Sequence, residues 1–252
     1  MSGHSKWANI KHKKAAVDAK KGKVWSRIAK QIIVAARTGG DPTMNPRLRL
    51  AMEAARSSGM PRDNVERAIK RGTGESSSGA DMKESLYEGY GTAGTAVICE
   101  ILSDNMNRTA PEVRKIFESS GGKMGTTGCV GWMFDRKGLI VVDAEGADED
   151  ALMELVLEAG AEDLSHQGDV FEIVCAPEDF AAVATALESA KVTVVEASIS
   201  RIPQNTVDID NIDTARKVLR MIERLEDHDD VSAVYSNHNI PDEIMEQLEE
   251  DD

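Results

Sequence analysis

The 252-residue sequence predicts an α+β protein: an N-terminal three-helix basic bundle, then two ferredoxin-like α/β domains, one inserted in the other. Three observations carry this prediction. Charge is divided sharply along the chain. Apolar spacing is helical up to residue 72 and changes character after a serine-rich stretch. The order β-α-β-β-α-β, a split βαβ pattern, then occupies residues 138–203.

The charge division comes first because it bears on function. The whole chain has a net charge of −14, which by itself argues against a polyanion partner. Residues 1–78, however, hold 17 Lys and Arg against 6 Asp and Glu, a net of +11. The remaining residues hold 13 basic and 38 acidic side chains, a net of −25. Such asymmetry points to nucleic-acid contact at the basic end. The expected domains are accordingly 1–78, a discontinuous middle domain of 79–136 and 205–252, and an inserted domain of 137–204.

In chain order, residues 1–23 are lysine-rich and poor in large apolar side chains, and read as a helix or arm with little to bury. Residues 23–38 place Val24, Ile28, Ile32, Ala35 and Ala36 at helical spacing, and Gly39-Gly40 ends the helix. Asn45 is a good N-cap before Pro46, and the helix it opens carries Leu48, Met52 and Ala55 as far as Gly59. A third short helix follows Pro61, carries Val65 and Ile69, and stops at Gly72. The basic side chains between Arg27 and Arg71 are left for the outside of the bundle. Thr73–Gly79 is a linker.

Beyond it, Ala96–Leu102 reads as a strand, Asn107–Ser119 as a helix, Gly121–Gly128 as a glycine-rich loop and Val130–Phe134 as a strand. In the inserted unit, Leu139–Val142, Asp163–Gln167, Val170–Cys175 and Val194–Ile199 are strands. Helices are expected at Asp148–Glu158 and from Pro177 onward, and Gly168-Asp169 marks a hairpin turn. Residues 210–227 make a strong amphipathic helix and Val231–Tyr235 a strand that could complete the earlier sheet. The acidic end, Asp242–Asp252, is expected to fray.

The candidate nucleic-acid-binding residues are Lys6, Trp7, Lys11, His12, Lys13, Lys14, Lys20, Lys21, Lys23, Arg27, Lys30, Arg47 and Arg49. Lysine and arginine displace condensed counterions from phosphates, which gives affinity without base reading. Trp7, among lysines and outside any apolar period, could stack on a base or pack back on the bundle. Trp25 and Trp132 lie in periodic elements and are expected in the core. The Gly121–Gly128 loop fails the P-loop pattern, because Gly-Lys-Ser/Thr is missing and the loop leads into a strand. Its backbone amides could still meet a phosphate.

Other chemistry finds little support. Cys99, Cys129 and Cys175 are too far apart for a metal knuckle and read as reduced, mostly buried thiols. None of the five histidines pairs with another ligand at metal spacing, and His228-Asp229-Asp230 reads as a solvated turn. No catalytic motif is present, so the expectation is a non-enzyme with no cofactor, no metal and no small-molecule substrate. Neither a signal peptide nor a membrane-length apolar run is seen, and a cytoplasmic monomer without membrane contact is expected.

Several segments, in order, resemble the YebC family: Gly3-His4-Ser5-Lys6-Trp7-Ala8-Asn9-Ile10-Lys11-His12, Asn45-Pro46-Arg47-Leu48-Arg49, Tyr87-Glu88-Gly89-Tyr90-Gly91, Leu102-Ser103-Asp104-Asn105, Asn107-Arg108-Thr109, Glu158-Ala159-Gly160-Ala161-Glu162-Asp163 and Leu225-Glu226-Asp227. The resemblance implies a helical domain and two α/β domains, one nested. It also implies gene regulation through a polyanion. Bacterial members are usually described as DNA-binding transcriptional regulators. The family also includes the mitochondrial translational activator of cytochrome c oxidase, and other members look like ribosome-associated factors that relieve stalling at proline-rich sequences. The bundle shows no obvious Arg/Asn/Gln-rich recognition helix behind a tight turn. Lysines with a lone tryptophan suit shape and phosphate better than base edges. The expected function is therefore a translation factor contacting rRNA, with DNA-binding transcriptional regulation as the alternative.

Overall fold

A computed structural model describes residues 21–75 and 82–250. The bundle consists of α1 (Lys21–Ala36), α2 (Pro46–Ser57) and α3 (Arg62–Gly72). Ile28, Ile32, Ala35, Leu48, Ala55 and Ala68 interlock as its core. Asn45 joins two of the helices. Its side-chain oxygen accepts from the Leu48 N–H at 3.0 Å, and its Nδ2 donates to the carbonyls of Ala35 at 2.7 Å and Gly39 at 2.8 Å. It therefore caps α2 and satisfies the open end of α1 together. At Gly72 a Cβ would stand 2.4 Å from the Ile33 carbonyl oxygen, so only glycine lets α3 approach α1 there. Met82 and Leu102 belong to the same core, which seats the bundle on the next domain.

The middle sheet contains β1 (Lys83–Tyr90), β2 (Ala96–Ser103), the short β3 (Lys123–Met124) and β9 (Val231–Ser236), in the order β3-β1-β2-β9. All its pairings are antiparallel. Helices α4 (Met106–Ser119) and α7 (Ile212–Glu226) cover one face, packing Val113, Phe117, Val218 and Met221 on Val97, Cys99 and Ile101. Ala96 and Ile98 point to the other face and meet Val130 and Phe134. With both faces covered, β2 reads as an apolar run interrupted only by Glu100 before it ends at Ser103.

Between these parts, β4 (Phe134–Asp143), α5 (Glu149–Glu158), β5 (Ala161–Gln167), β6 (Val170–Cys175), α6 (Phe180–Ser189) and β7 (Val194–Pro203) form their own antiparallel sheet, ordered β5-β6-β4-β7. This is the ferredoxin-like strand order, with Ile140, Ile173, Leu152, Val156, Val183 and Leu187 in its core. Gly168 turns the β5–β6 hairpin at φ 65°, as the Gly-Asp pair predicts. A two-residue parallel pair, β8 (Val207–Asp208) and β10 (His238–Asn239), precedes the last helix, α8 (Asp242–Glu250).

Five expectations are corrected. Strand β1 was not expected, because Lys83–Tyr90 lacks a clean alternation. Val130–Phe134 is not a strand: Gly131–Met133 form a 3-10 turn, and β4 begins at Phe134. The polar Arg136-Lys137 stretch looks like a break, but β7 pairs with β4 across it. The second helix of the inserted unit starts at Phe180 rather than near Pro177. The acidic end does not fray at residue 242, since Met245 of α8 is buried against Ile209, Ala215 and Ile240.

Candidate nucleic-acid interface

The bundle presents its cations in two different settings. Along α1, they face the acidic turn between α7 and β9. The Lys23 ammonium donates to the Asp227 carbonyl at 3.2 Å and lies 3.7 Å from its carboxylate. Arg27 is half-buried. Burial lowers its pKa, and the charges of Glu226, Asp227 and Asp229 act in the opposite direction. Lys30 donates to the Asp229 carbonyl and to an Asp230 carboxylate oxygen, both at 2.8 Å. On the opposite flank, Arg47 pairs with Glu84 of β1.

Asp230 is the centre of the α1 contact. Its side chain is 5% exposed. It accepts from Lys30, from Arg108 at 2.6 Å, from Thr109 at 2.8 Å and from Ser103 at 3.2 Å. Burial alone would push its pKa up. The Lys30, Arg108 and Thr109 donors outweigh it and hold the carboxyl well below the usual range. The solvated turn expected at His228-Asp229-Asp230 is thus a buried hub that ties bundle to body. His228 braces it: Nδ1 accepts from the Asp230 N–H at 3.1 Å, and Nε2 lies 3.1 Å from Glu112.

The second setting is α2 and α3. Arg49, Arg56, Arg62, Arg67, Lys70 and Arg71 are exposed. Among the described residues none of the six is ion-paired. Arg67, Lys70 and Arg71 share one side of α3 by their spacing and line a groove of about 560 Å³ between α1 and α3, whose apolar wall includes Trp25, Ala29 and Met60. Trp25 donates to the Ser58 carbonyl at 3.1 Å and packs on the bundle core, as a core residue should. Arg71 also reaches the larger cleft, about 1000 Å³, where α1 meets the body.

Of the residues picked from sequence, Lys6, Trp7, Lys11, His12, Lys13, Lys14 and Lys20 lie outside the described residues. Lys21 begins α1. Lys23, Arg27 and Lys30 gather on the acidic turn, Arg47 stands on Glu84, and Arg49 is exposed on α2. The expectation that all these cations face outward is corrected for Lys30 and, in part, for Arg27. The α3 set was visible in sequence as basic residues but had no feature to rank it above α1. A tight turn does precede α3, with Gly59 at φ 67°. Yet α2 and α3 each pack on α1 and make little contact with each other, unlike a helix-turn-helix pair.

The glycine-rich loop holds an anion of its own. Glu88 of β1 is buried, and its carboxylate accepts from the N–H groups of Gly128 at 2.8 Å, Val130 at 2.9 Å and Gly131 at 2.7 Å. Burial raises the Glu88 pKa, but the three amides prevail and lower it. Within the Gly121–Gly128 loop, the Gly128 amide is thus engaged by the Glu88 carboxylate and the Gly125 amide by the Glu88 carbonyl at 2.8 Å, and neither is available to a phosphate. Trp132, expected in the core, is 68% exposed at the end of this loop.

Cys99 and Cys175 are buried and Cys129 partly so, all three are free thiols, and burial pushes each thiol pKa up. Among the described residues no cluster of three or more His, Cys, Asp or Glu side chains could hold a metal. No described helix is long and apolar enough to cross a membrane.

Comparison with known proteins matches both parts of the chain. Residues 5–75 match the TACO1/YebC protein N-terminal domain, and residues 82–238 match the TACO1/YebC second and third domain. A protein of Desulfatibacillum aliphaticivorans named "Probable transcriptional regulatory protein" is 52% identical over 97% of this chain and 99% of its own. A protein of Halothermothrix orenii with the same name is 52% identical over the full length of both chains. The crystal structure of a conserved hypothetical protein from Aquifex aeolicus is similar with a TM-score of 0.84 and 45% identity, covering 94% of this chain and 98% of the other. With the family's domains matched in order over most of its length, the chain belongs to the YebC family.

Proposed function

We propose that this protein is a non-enzymatic, nucleic-acid-binding regulator of gene expression that acts on the ribosome, contacting rRNA through its basic N-terminal domain and relieving stalling at proline-rich sequences. One observation carries the reading: cations on α3 stand together without acidic partners among the described residues, on a chain whose net charge is −14. On such a chain, cations grouped on one face without carboxylates make a local positive patch that a polyanion can meet. The acidic body limits where that polyanion can lie. The short α2 and α3 helices, packed on α1 and not on one another, suit phosphate and shape recognition better than insertion of a reading helix into the major groove. The lysine-rich residues 6–20 would extend the same contact.

The alternative is a DNA-binding transcriptional regulator; the relatives carry the name "Probable transcriptional regulatory protein". The tight turn before α3 and the Arg62, Asn64 and Arg67 side chains favour it. Sedimentation of a cell lysate separates the two readings. Co-migration with ribosomes that is lost in high salt is expected. A footprint on a defined promoter, without ribosome association, contradicts the ribosomal reading.

A further inference from the structure

The middle domain displays an aromatic pair that neither the bundle nor its charge explains. Six large hydrophobic side chains are exposed among the described residues, and the two aromatic ones, Tyr90 at 42% and Trp132 at 68%, meet at one place. The Tyr90 hydroxyl and the Trp132 Nε1 both donate to the Cys129 carbonyl, each at 3.2 Å. Their polar edges are thus turned to the same backbone oxygen, while both side chains remain exposed. Lys123 lies directly opposite Tyr90 in the β1–β3 ladder and is exposed. Between these residues run Gly125, Thr126, Thr127 and Gly128.

This arrangement is held rigidly. The three amides on the Glu88 carboxylate fix the loop from Gly128 to Gly131, and the Gly125 N–H donates to the Glu88 carbonyl at 2.8 Å. At Gly125 a Cβ would stand 2.5 Å from the Cys129 sulfur, so the loop is closely folded on itself. Exposed aromatic rings held in place before a ligand arrives lose little entropy on binding.

We infer that Tyr90 and Trp132 form a stacking platform for an unpaired nucleobase, with Lys123 placed for its phosphate. The inference rests on the nucleic-acid reading above and gives it a second contact, on the body rather than the bundle. Composition selects the occupant. A protein-docking patch would add exposed aliphatic neighbours, but Cys129 and Met133 beside the rings are partly buried, and the exposed residues from Lys123 to Gly128 are Lys123, Gly125, Thr126, Thr127 and Gly128. Two rings beside a cation are the recurrent single-strand arrangement, because every base has a π-face.

The test measures affinity of the full chain for a single-stranded RNA oligonucleotide and for an RNA duplex of equal length. Trp132→Ala should weaken single-strand binding about 5- to 50-fold and leave duplex binding within about twofold. Trp132→Phe should recover most of the loss, and neither change should move the thermal transition much, since the ring is exposed. Unchanged single-strand affinity in Trp132→Ala, or equal weakening for both RNAs, overturns the platform while the nucleic-acid reading stands. Wild-type protein that binds neither RNA contradicts that reading itself, and the platform with it.

Discussion

The α1 and α3 sides of the bundle are both basic in sequence and differ in what faces them. Lys23, Arg27 and Lys30 on α1 look into the acidic α7–β9 turn and are neutralised by it. Arg67, Lys70 and Arg71 on α3 line an open groove, without acidic partners among the described residues. The difference teaches that positive charge in a local sequence does not identify a binding face. What decides is whether the fold brings carboxylates to it, and here those carboxylates come from about 200 residues away in the chain. One side therefore holds the protein together, and the other is the face proposed above for a polyanion.

The comparison can be broken most severely at Asp230. Asp230→Ala should cost about 3–5 kcal/mol of stability, because it leaves the Lys30 ammonium without its carboxylate at a mostly buried site. Chemical denaturation reads this directly. The sign of its pH dependence also follows. Asp230 has a folded-state pKa below its unfolded value, so its stabilisation is present above about pH 4, the unfolded value, and is lost as pH falls from there through the lower folded-state value. Asp230→Asn should flatten that acid limb, and an unchanged limb would contradict the hub.

The opposite side is broken without loss of stability. Replacing Arg67, Lys70 and Arg71 together by Glu should lower nucleic-acid affinity by about a hundredfold or more at 0.1 M salt, roughly three phosphate contacts' worth. The thermal transition should stay within a few degrees of wild type. Glu88→Gln is expected to cost about 2 kcal/mol, since three amides lose a charged acceptor. It should also loosen the loop that carries Trp132, visible as faster amide exchange at Gly128 and Gly131. Arg56→Ala is the smallest change. It should weaken nucleic-acid binding only severalfold and leave stability unaltered, as expected of an exposed, unpaired arginine.

Much of this architecture was legible in the residues. Asn45-Pro46 announced α2, Gly168-Asp169 announced the β5–β6 hairpin, and the apolar spacing of residues 212–225 announced α7. The failures share a cause: partners distant in sequence. Lys83–Tyr90 becomes a strand because β2 and β3 flank it, and β4 passes through Arg136-Lys137 because β7 pairs with it there. Ile244, Met245 and Leu248 do have helical spacing, but their acidic neighbours hid it until α7 supplied a surface to pack on. For the interface, the net charge of residues 1–78 was readable and its partition was not. Asp230 and Glu88 look like ordinary surface acids in sequence. Their local signals were motifs: Asn107-Arg108-Thr109, which holds two of Asp230's partners, and Tyr87-Glu88-Gly89-Tyr90-Gly91, which contains Glu88 itself.

The most direct test compares salt dependence of RNA affinity for two variants of the full chain. Arg67→Ala, Lys70→Ala and Arg71→Ala combined should make the slope of log K against log[salt] shallower by about 2–3, since each lost phosphate contact removes about 0.7–0.9. Lys23→Ala, whose charge is already engaged by Asp227, should leave the slope unchanged. A slope that falls in Lys23→Ala and stays at the wild-type value in the α3 variant would contradict the division between the two sides.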